Sequence, residues 1–121
     1  MIKVKRAYDV PSKTDGVRFL VDRLWPRGVT KSSLDVMAWL KDASPSNELR
    51  KRFHHDPEQW DEFRRHYFAE LKKSPAAWSP ILEAARTGTV TLVYGAKDTE
   101  HNNAIALMEF LNQRLYAKGK D

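Results

Sequence analysis

A chain of 121 residues with 41% apolar and 31% charged side chains has the length for one hydrophobic core and the composition of a globular domain, not of a disordered segment. It contains no cysteine, which excludes disulfides, thiolate catalysis and cysteine-ligated metals. Lys and Arg number 21 against 16 Asp and Glu; the resulting +5 suits an anionic partner, although no long basic tract concentrates it. No apolar run approaches the roughly 20 residues of a bilayer span, and the opening MIKVKRAYD lacks a signal-peptide core, so the expectation is a cytoplasmic protein without membrane contact.

In chain order, Ile2 to Tyr8 begins with alternation, Ile2 and Val4 against Lys3 and Lys5, as a half-buried strand does. Asp9 to Gly16, DVPSKTDG, is turn chemistry throughout. It is shorter than the usual crossover between parallel neighbours, so the first two strands form either a hairpin or a parallel pair with a reduced connection. Val17 to Gly28 then runs from an uninterrupted apolar strand, Phe19-Leu20-Val21, into Asp22-Arg23 and Trp25-Pro26-Arg27-Gly28. Such a strand is buried on both faces, and Pro26 ends it at or before Trp25.

Ser33 is the expected N-cap of a short helix with Val36, Met37, Trp39 and Leu40 inward, broken at Ala43-Ser44-Pro45-Ser46. Ser46 caps a second helix, Asn47 to Phe53, and Asp56-Pro57-Glu58-Gln59 starts a third. Trp60, Phe63, Tyr67 and Leu71 follow at helical spacing, a stripe that reads as the face covering the sheet. The other reading of such a stripe is an aromatic platform for nucleobases. Ser74-Pro75 separates a fourth helix carrying Trp78, Ile81, Leu82 and Ala85, stopped by Gly88. Thr89 to Tyr94 is a second buried strand, and Ala104, Leu107, Met108, Leu111 and Leu115 mark a last helix. Strand, strand, helices, strand, helix is an α/β pattern: a small, predominantly parallel sheet covered by helices in a Rossmann-like three-layer arrangement.

Two strand ends carry the chemistry. Asp22-Arg23…Arg27 follows the first buried strand; Tyr94-Gly95-Ala96-Lys97-Asp98 with His101-Asn102-Asn103 follows the second. With parallel strands both loops leave the carboxyl edge, where open α/β sheets bind ligands. Arg23, Arg27 and Lys97 are the expected anion-binding cations, Trp25 a stacking wall, and Tyr94 and Asn102 further ligand contacts. Asp22 or Asp98 would be the general base, or would orient an arginine. The structural alternative makes Asp22-Arg23 an ion pair closing the strand and Asp98 or Thr99 a helix cap. His54-His55-Asp56 lacks the converging ligand set of a metal site, and no Walker, dinucleotide or nucleophile-elbow motif is present, so neither metal nor cofactor is expected. The leading expectation is a small phosphorylated or nucleotide-like anion, bound by an enzyme or a sensor. The alternatives are a nucleic-acid module using Arg50, Lys51, Arg52, Arg64 and Arg65, or a partner-binding scaffold without chemistry.

The strings Lys5-Arg6-Ala7-Tyr8-Asp9 and Leu20-Val21-Asp22-Arg23-Leu24-Trp25-Pro26-Arg27-Gly28 resemble the YeaO-like bacterial proteins, domain of unknown function 488. The likeness continues through Trp39-Leu40-Lys41, Ser44-Pro45-Ser46, Trp60…Phe63…Tyr67…Glu70-Leu71, and Thr91-Leu92-Val93-Tyr94 to Asn102-Asn103-Ala104. It implies a small cytoplasmic α/β protein and carries no activity with it. Longer relatives have Cys and His in the loop after the last strand, where this chain has Tyr94, Lys97-Asp98 and His101-Asn102, so the resemblance implies no thiol chemistry here.

Overall fold

The computed structural model describes residues 1–53 and 56–117. Four parallel strands, β1 (Ile2–Arg6), β2 (Val17–Leu20), β3 (Ala38–Trp39) and β4 (Val90–Tyr94), form one sheet in the order β1-β4-β2-β3. The most apolar strand takes the middle: β4 is buried at every position. It pairs with β1 from Ile2↔Val90 to Arg6↔Tyr94 and with β2 from Val17↔Val90 to Leu20↔Val93. The first two strands are therefore parallel but not neighbours. The reduced connection, residues 7–16, returns the chain to the amino edge through a single 3-10 turn at Lys13–Asp15 capped by Ser12.

Alternation along the strands divides the core in two. Ile2, Phe19, Val21, Val90, Leu92 and Tyr94 face the helical layer. That layer is built from α2 (Asn47–Phe53), α3 (Trp60–Lys73), α4 (Pro75–Thr87) and α5 (Asn103–Leu115). Leu20 and Val93 face the other way, under a thin layer containing the single turn α1 (Lys31–Leu34) with Leu34, Trp25, Val29 and Val36. The third layer of the expected architecture is thus mostly loop.

One element differs from expectation. The chain does not continue as a helix through Val36 to Leu40. Thr30, not Ser33, caps α1, and Asp35 ends it in the left-handed conformation at φ 52°. The next residues add β3 to the sheet edge, with Met37 N donating to Arg18 O and Leu40 N to Leu20 O. The expected cap at Ser46 is present, its Oγ accepting from Leu49 N, and Asp56 accepts from Glu58 N. The aromatic stripe is split: Tyr67 and Leu71 are buried, whereas Trp60 and Phe63 are only half-buried. Tyr67 donates its hydroxyl to Ala43 O, and burial, with Glu70 and Asp22 nearby, pushes that hydroxyl's pKa far up. His54-His55 lies outside the described residues. Among the described residues no group of His, Asp or Glu is placed to hold a metal ion, and no helix is long and apolar enough to cross a membrane.

At the amino edge the structure holds an ion cluster that the sequence reading did not single out. Asp15 is 2% exposed and Arg18 is 4% exposed. The Asp15 carboxylate accepts from Arg18 Nη1 at 2.8 Å, Lys5 Nζ at 3.1 Å and the Ser12 amide at 3.0 Å. Arg18 spends its remaining donors on the carbonyls of Leu34 and Asp35. Burial alone raises the Asp15 pKa, but the Ser12 amide, Lys5 and Arg18 together hold it below the ordinary 3.8. Next to it, Gly16 has φ +65°, and a Cβ there would lie 2.0 Å from Thr89 O. Only glycine fits between the two incoming strands.

Candidate functional site

All four strands point their carboxyl ends to one edge, so the loops after β1, β2 and β4 share it. From β2 the chain leaves toward β3; from β4 it leaves toward α5, which packs on β4 and β1. The gap between β2 and β4 is therefore a topological switch point, the crevice where parallel sheets open to ligands.

Side-chain hydrogen bonds tie the two loops together there. The Asp22 carboxylate accepts from Gly95 N at 2.8 Å. Arg6 reaches across from β1 and donates to Ala96 O at 2.9 Å and Gly95 O at 3.3 Å. Asn103 Nδ2 donates to Val21 O, while Asn102 caps α5 by accepting from Ile105 N and donates to Asp98 O. A rigid frame results, made of the end of β2, the turn after β4 and the start of α5.

On the helical side of this frame is a cavity of about 200 Å³. Asp22, Arg23 and Leu24 come to it from β2, and Ala96, His101, Asn102 and Asn103 from the β4–α5 connection. Phe53 of α2 with Trp60 and Phe63 of α3 supplies an aromatic wall, and Pro45, Arg50 and Asp56 stand around it. Trp60 and Phe63 are stacked, 5.6 Å between centroids at 21°, and His101 meets the Trp60 ring edge-on at 5.3 Å. Arg23 donates its Nε to Pro45 O at 3.4 Å. It also borders a second hollow, of about 290 Å³, with Ser46, Tyr67 and Glu70.

Of the residues singled out in the sequence, Asp22, Arg23 and Asn102 line the cavity. Trp25 packs instead in the thin layer on the opposite face, its Nε1 donating to Val29 O and its ring meeting Trp39 at 5.4 Å. Arg27 is exposed, and its carbonyl accepts from Tyr8 Oη. Tyr94 is buried in the core; burial raises its hydroxyl pKa against the opposing pull of Arg6 and the Asn102 side chain. Lys97 and Asp98 are exposed on the connecting turn. Asp98 accepts from the amides of Glu100 and His101, which hold its carboxyl below the usual range, and pairs with His101 Nδ1 at 3.1 Å. Asp9, after β1, also lies beyond a carboxyl end and is exposed.

His101 and Asn103, placed by the sequence at the second strand end without a role of their own, also line it; Arg50, Phe53 and Asp56 had been read only as a surface cation, a helix end and a helix cap, and Trp60 and Phe63 as the covering face. The signals available were the two adjacent asparagines opening α5 and the aromatic stripe overrunning the sheet.

A family model described as "Inactive DUF488-N3 subclade" matches residues 1–121. The chain belongs to this DUF488 family. Among its relatives, the uncharacterized protein YeaO of Escherichia coli is 42% identical over 110 residues, 91% of this chain and 96% of YeaO. The uncharacterized protein Mb3100c of Mycobacterium bovis is 39% identical over 113 residues, 93% of this chain and 95% of its own. No solved structure matches. In this DUF488 chain the matched length includes both loops that meet at the switch point.

Proposed function

We propose that this protein is a binding module that holds a small organic anion in the cavity between the β2 and β4 loops without turning it over. One observation carries the reading: the switch-point cavity combines an aromatic wall with two arginines, Arg23 and Arg50. Guanidinium groups grip carboxylate or phosphate through two parallel hydrogen bonds, and aromatic faces favour the unsaturated part of a ligand. Asp22 and Asn102 keep their place in the site as the residues that hold its frame.

Absence of turnover is supported by the state of the two candidate bases. Asp22 is anchored to the Gly95 amide, and Asp98 is committed to two amides of its own turn, which favour its ionised, weakly basic form. The family description "Inactive" agrees with this reading. The nucleic-acid alternative has less to draw on. Arg64 pairs with Asp61 and Glu109, and Arg65 with Glu62, so those cations are already neutralised.

Thermal-shift measurements with a panel of small organic acids and phosphates at millimolar concentration test the proposal. At least one should raise the melting temperature of the wild type and not of Arg23→Ala. A flat response across the panel, together with gel-shift binding to DNA or RNA that weakens log-linearly with salt, would replace it with the nucleic-acid reading.

A further inference from the structure

The dimensions and charge of the same cavity narrow its occupant. We infer that it accepts one planar ring bearing a single carboxylate, an acid the size of benzoate or nicotinate, and not a whole nucleotide; this rests on the anion-binding reading above. Volume is the first argument. The cavity holds about 200 Å³, whereas sites for larger ligands begin at roughly 300 Å³. An apolar cavity of about 150 Å³ takes up benzene. A six-membered ring with one acid group fills this space; a base, a ribose and a phosphate together would have to extend out of it, toward solvent or the second hollow beside Arg23.

The wall is the second argument. Trp60 and Phe63 sit on the same helical stripe as Tyr67 and Leu71, yet they are half-exposed where the latter two are buried. Large aromatic side chains left uncovered beside a cavity offer a flat ligand its best partner surface. Their near-parallel stacking and the His101 edge against Trp60 fix the ring planes in advance, so little ordering remains for binding to impose.

The third argument is charge. Arg23 and Arg50 share the lining with Asp22 and Asp56. Two carboxylates beside two guanidinium groups tolerate a monoanion and oppose a phosphate carrying nearly two charges. Arg23 has one hydrogen bond among the described residues, from Nε to Pro45 O, and its Nη groups remain for a two-point grip on a carboxylate. Arg50 is exposed and bonded to Asn47 Oδ1, so it can be replaced without disturbing the core.

Calorimetric titration with nicotinate, benzoate, cyclohexanecarboxylate, uridine monophosphate and inorganic phosphate decides the matter. One-site binding of nicotinate or benzoate is expected, at least tenfold tighter than either cyclohexanecarboxylate or uridine monophosphate. Arg50→Ala should weaken it several-fold at an unchanged melting temperature, Trp60→Leu several-fold with a melting temperature lowered but the protein still folded at the titration temperature, and Arg23→Ala tenfold or more. Uridine monophosphate or phosphate binding as tightly as the ring acids would overturn this inference and leave the anion-binding reading intact. Equal affinity for cyclohexanecarboxylate would remove the planar ring. No binding by any of the five would remove both.

Discussion

The two ends of β2 carry the same pair of residue types and use them in opposite ways. At the amino end Asp15 and Arg18 are sealed from solvent, bonded to each other and to Lys5, Ser12 and the carbonyls of Leu34 and Asp35. At the carboxyl end Asp22 and Arg23 are half-exposed and turn to different partners, the Gly95 amide and the Pro45 carbonyl, across a cavity. An acid and a base buried together have spent their hydrogen-bonding capacity on the fold; around the hollow, in the reading we propose, the Arg23 guanidinium keeps part of its own for a ligand. The difference lies in what surrounds each pair, since residue identity is common to both.

The sharpest way to break that contrast is at the sealed end. Asp15→Ala leaves Arg18 buried without its carboxylate and should cost about 3–5 kcal/mol, read from urea denaturation. A loss below about 1 kcal/mol would mean the cluster behaves as an exposed ion pair. The pH dependence follows from the same residue. Its folded pKa lies below the ordinary 3.8, so its contribution is complete above that value and is lost as pH falls through the folded pKa. Acid titration of stability should therefore steepen below about pH 4 in the wild type and be flatter there in Asp15→Asn.

Phe63→Ala should cost about 2 kcal/mol, less than the roughly 3–5 of a fully enclosed phenylalanine, because one side of the ring already faces the cavity. A loss at the upper figure would place Phe63 in the core and not in a wall. Asp22→Ala removes a charge-assisted bond to Gly95 N and should cost about 1.5–3 kcal/mol, with a loosened β4–α5 turn visible as faster amide exchange at Gly95. The smallest effects belong to Arg27→Ala and Lys97→Ala. Both residues are exposed and outside the cavity lining, so stability should change by no more than about 0.5 kcal/mol and nicotinate affinity should hold.

The parallel sheet and its carboxyl edge were legible because β-branched, uncharged runs admit few other placements; Pro26 set only an outer limit, since β2 already ends at Leu20, and α4 ends at Thr87 with Gly88 as its C-cap. The choice between hairpin and crossover for β1 and β2 was not legible. Its answer depends on β4 inserting between them, a contact between residues about ninety positions apart that no local pattern encodes. Val36 to Leu40 misled because spacings that suit a helix face also suit a short edge strand; Asp35 in a left-handed conformation is what settles it. Trp60 and Phe63 show a subtler limit. Helical spacing identifies the inward face of α3, but only the end of the sheet decides where that face stops touching core and starts lining a cavity. Asp22 and Arg23, singled out for their place after a strand, line the cavity, whereas Trp25 and Tyr94, equally well placed in sequence, turn away into packing.

The central position of β4 also sets the order in which the molecule can be made. While the ribosome is still adding the first 89 residues, β1 and β2 have no partner to bridge them, since every ladder joining them runs through residues 90–94. These two strands have no bridge between them until residues 90–94 are made. Such long-range closure makes folding slow and leaves the nascent chain open to aggregation. A refolding rate well below that of helical domains of similar length is the expected consequence of inserting β4 into the middle of the sheet, and stopped-flow refolding reads it.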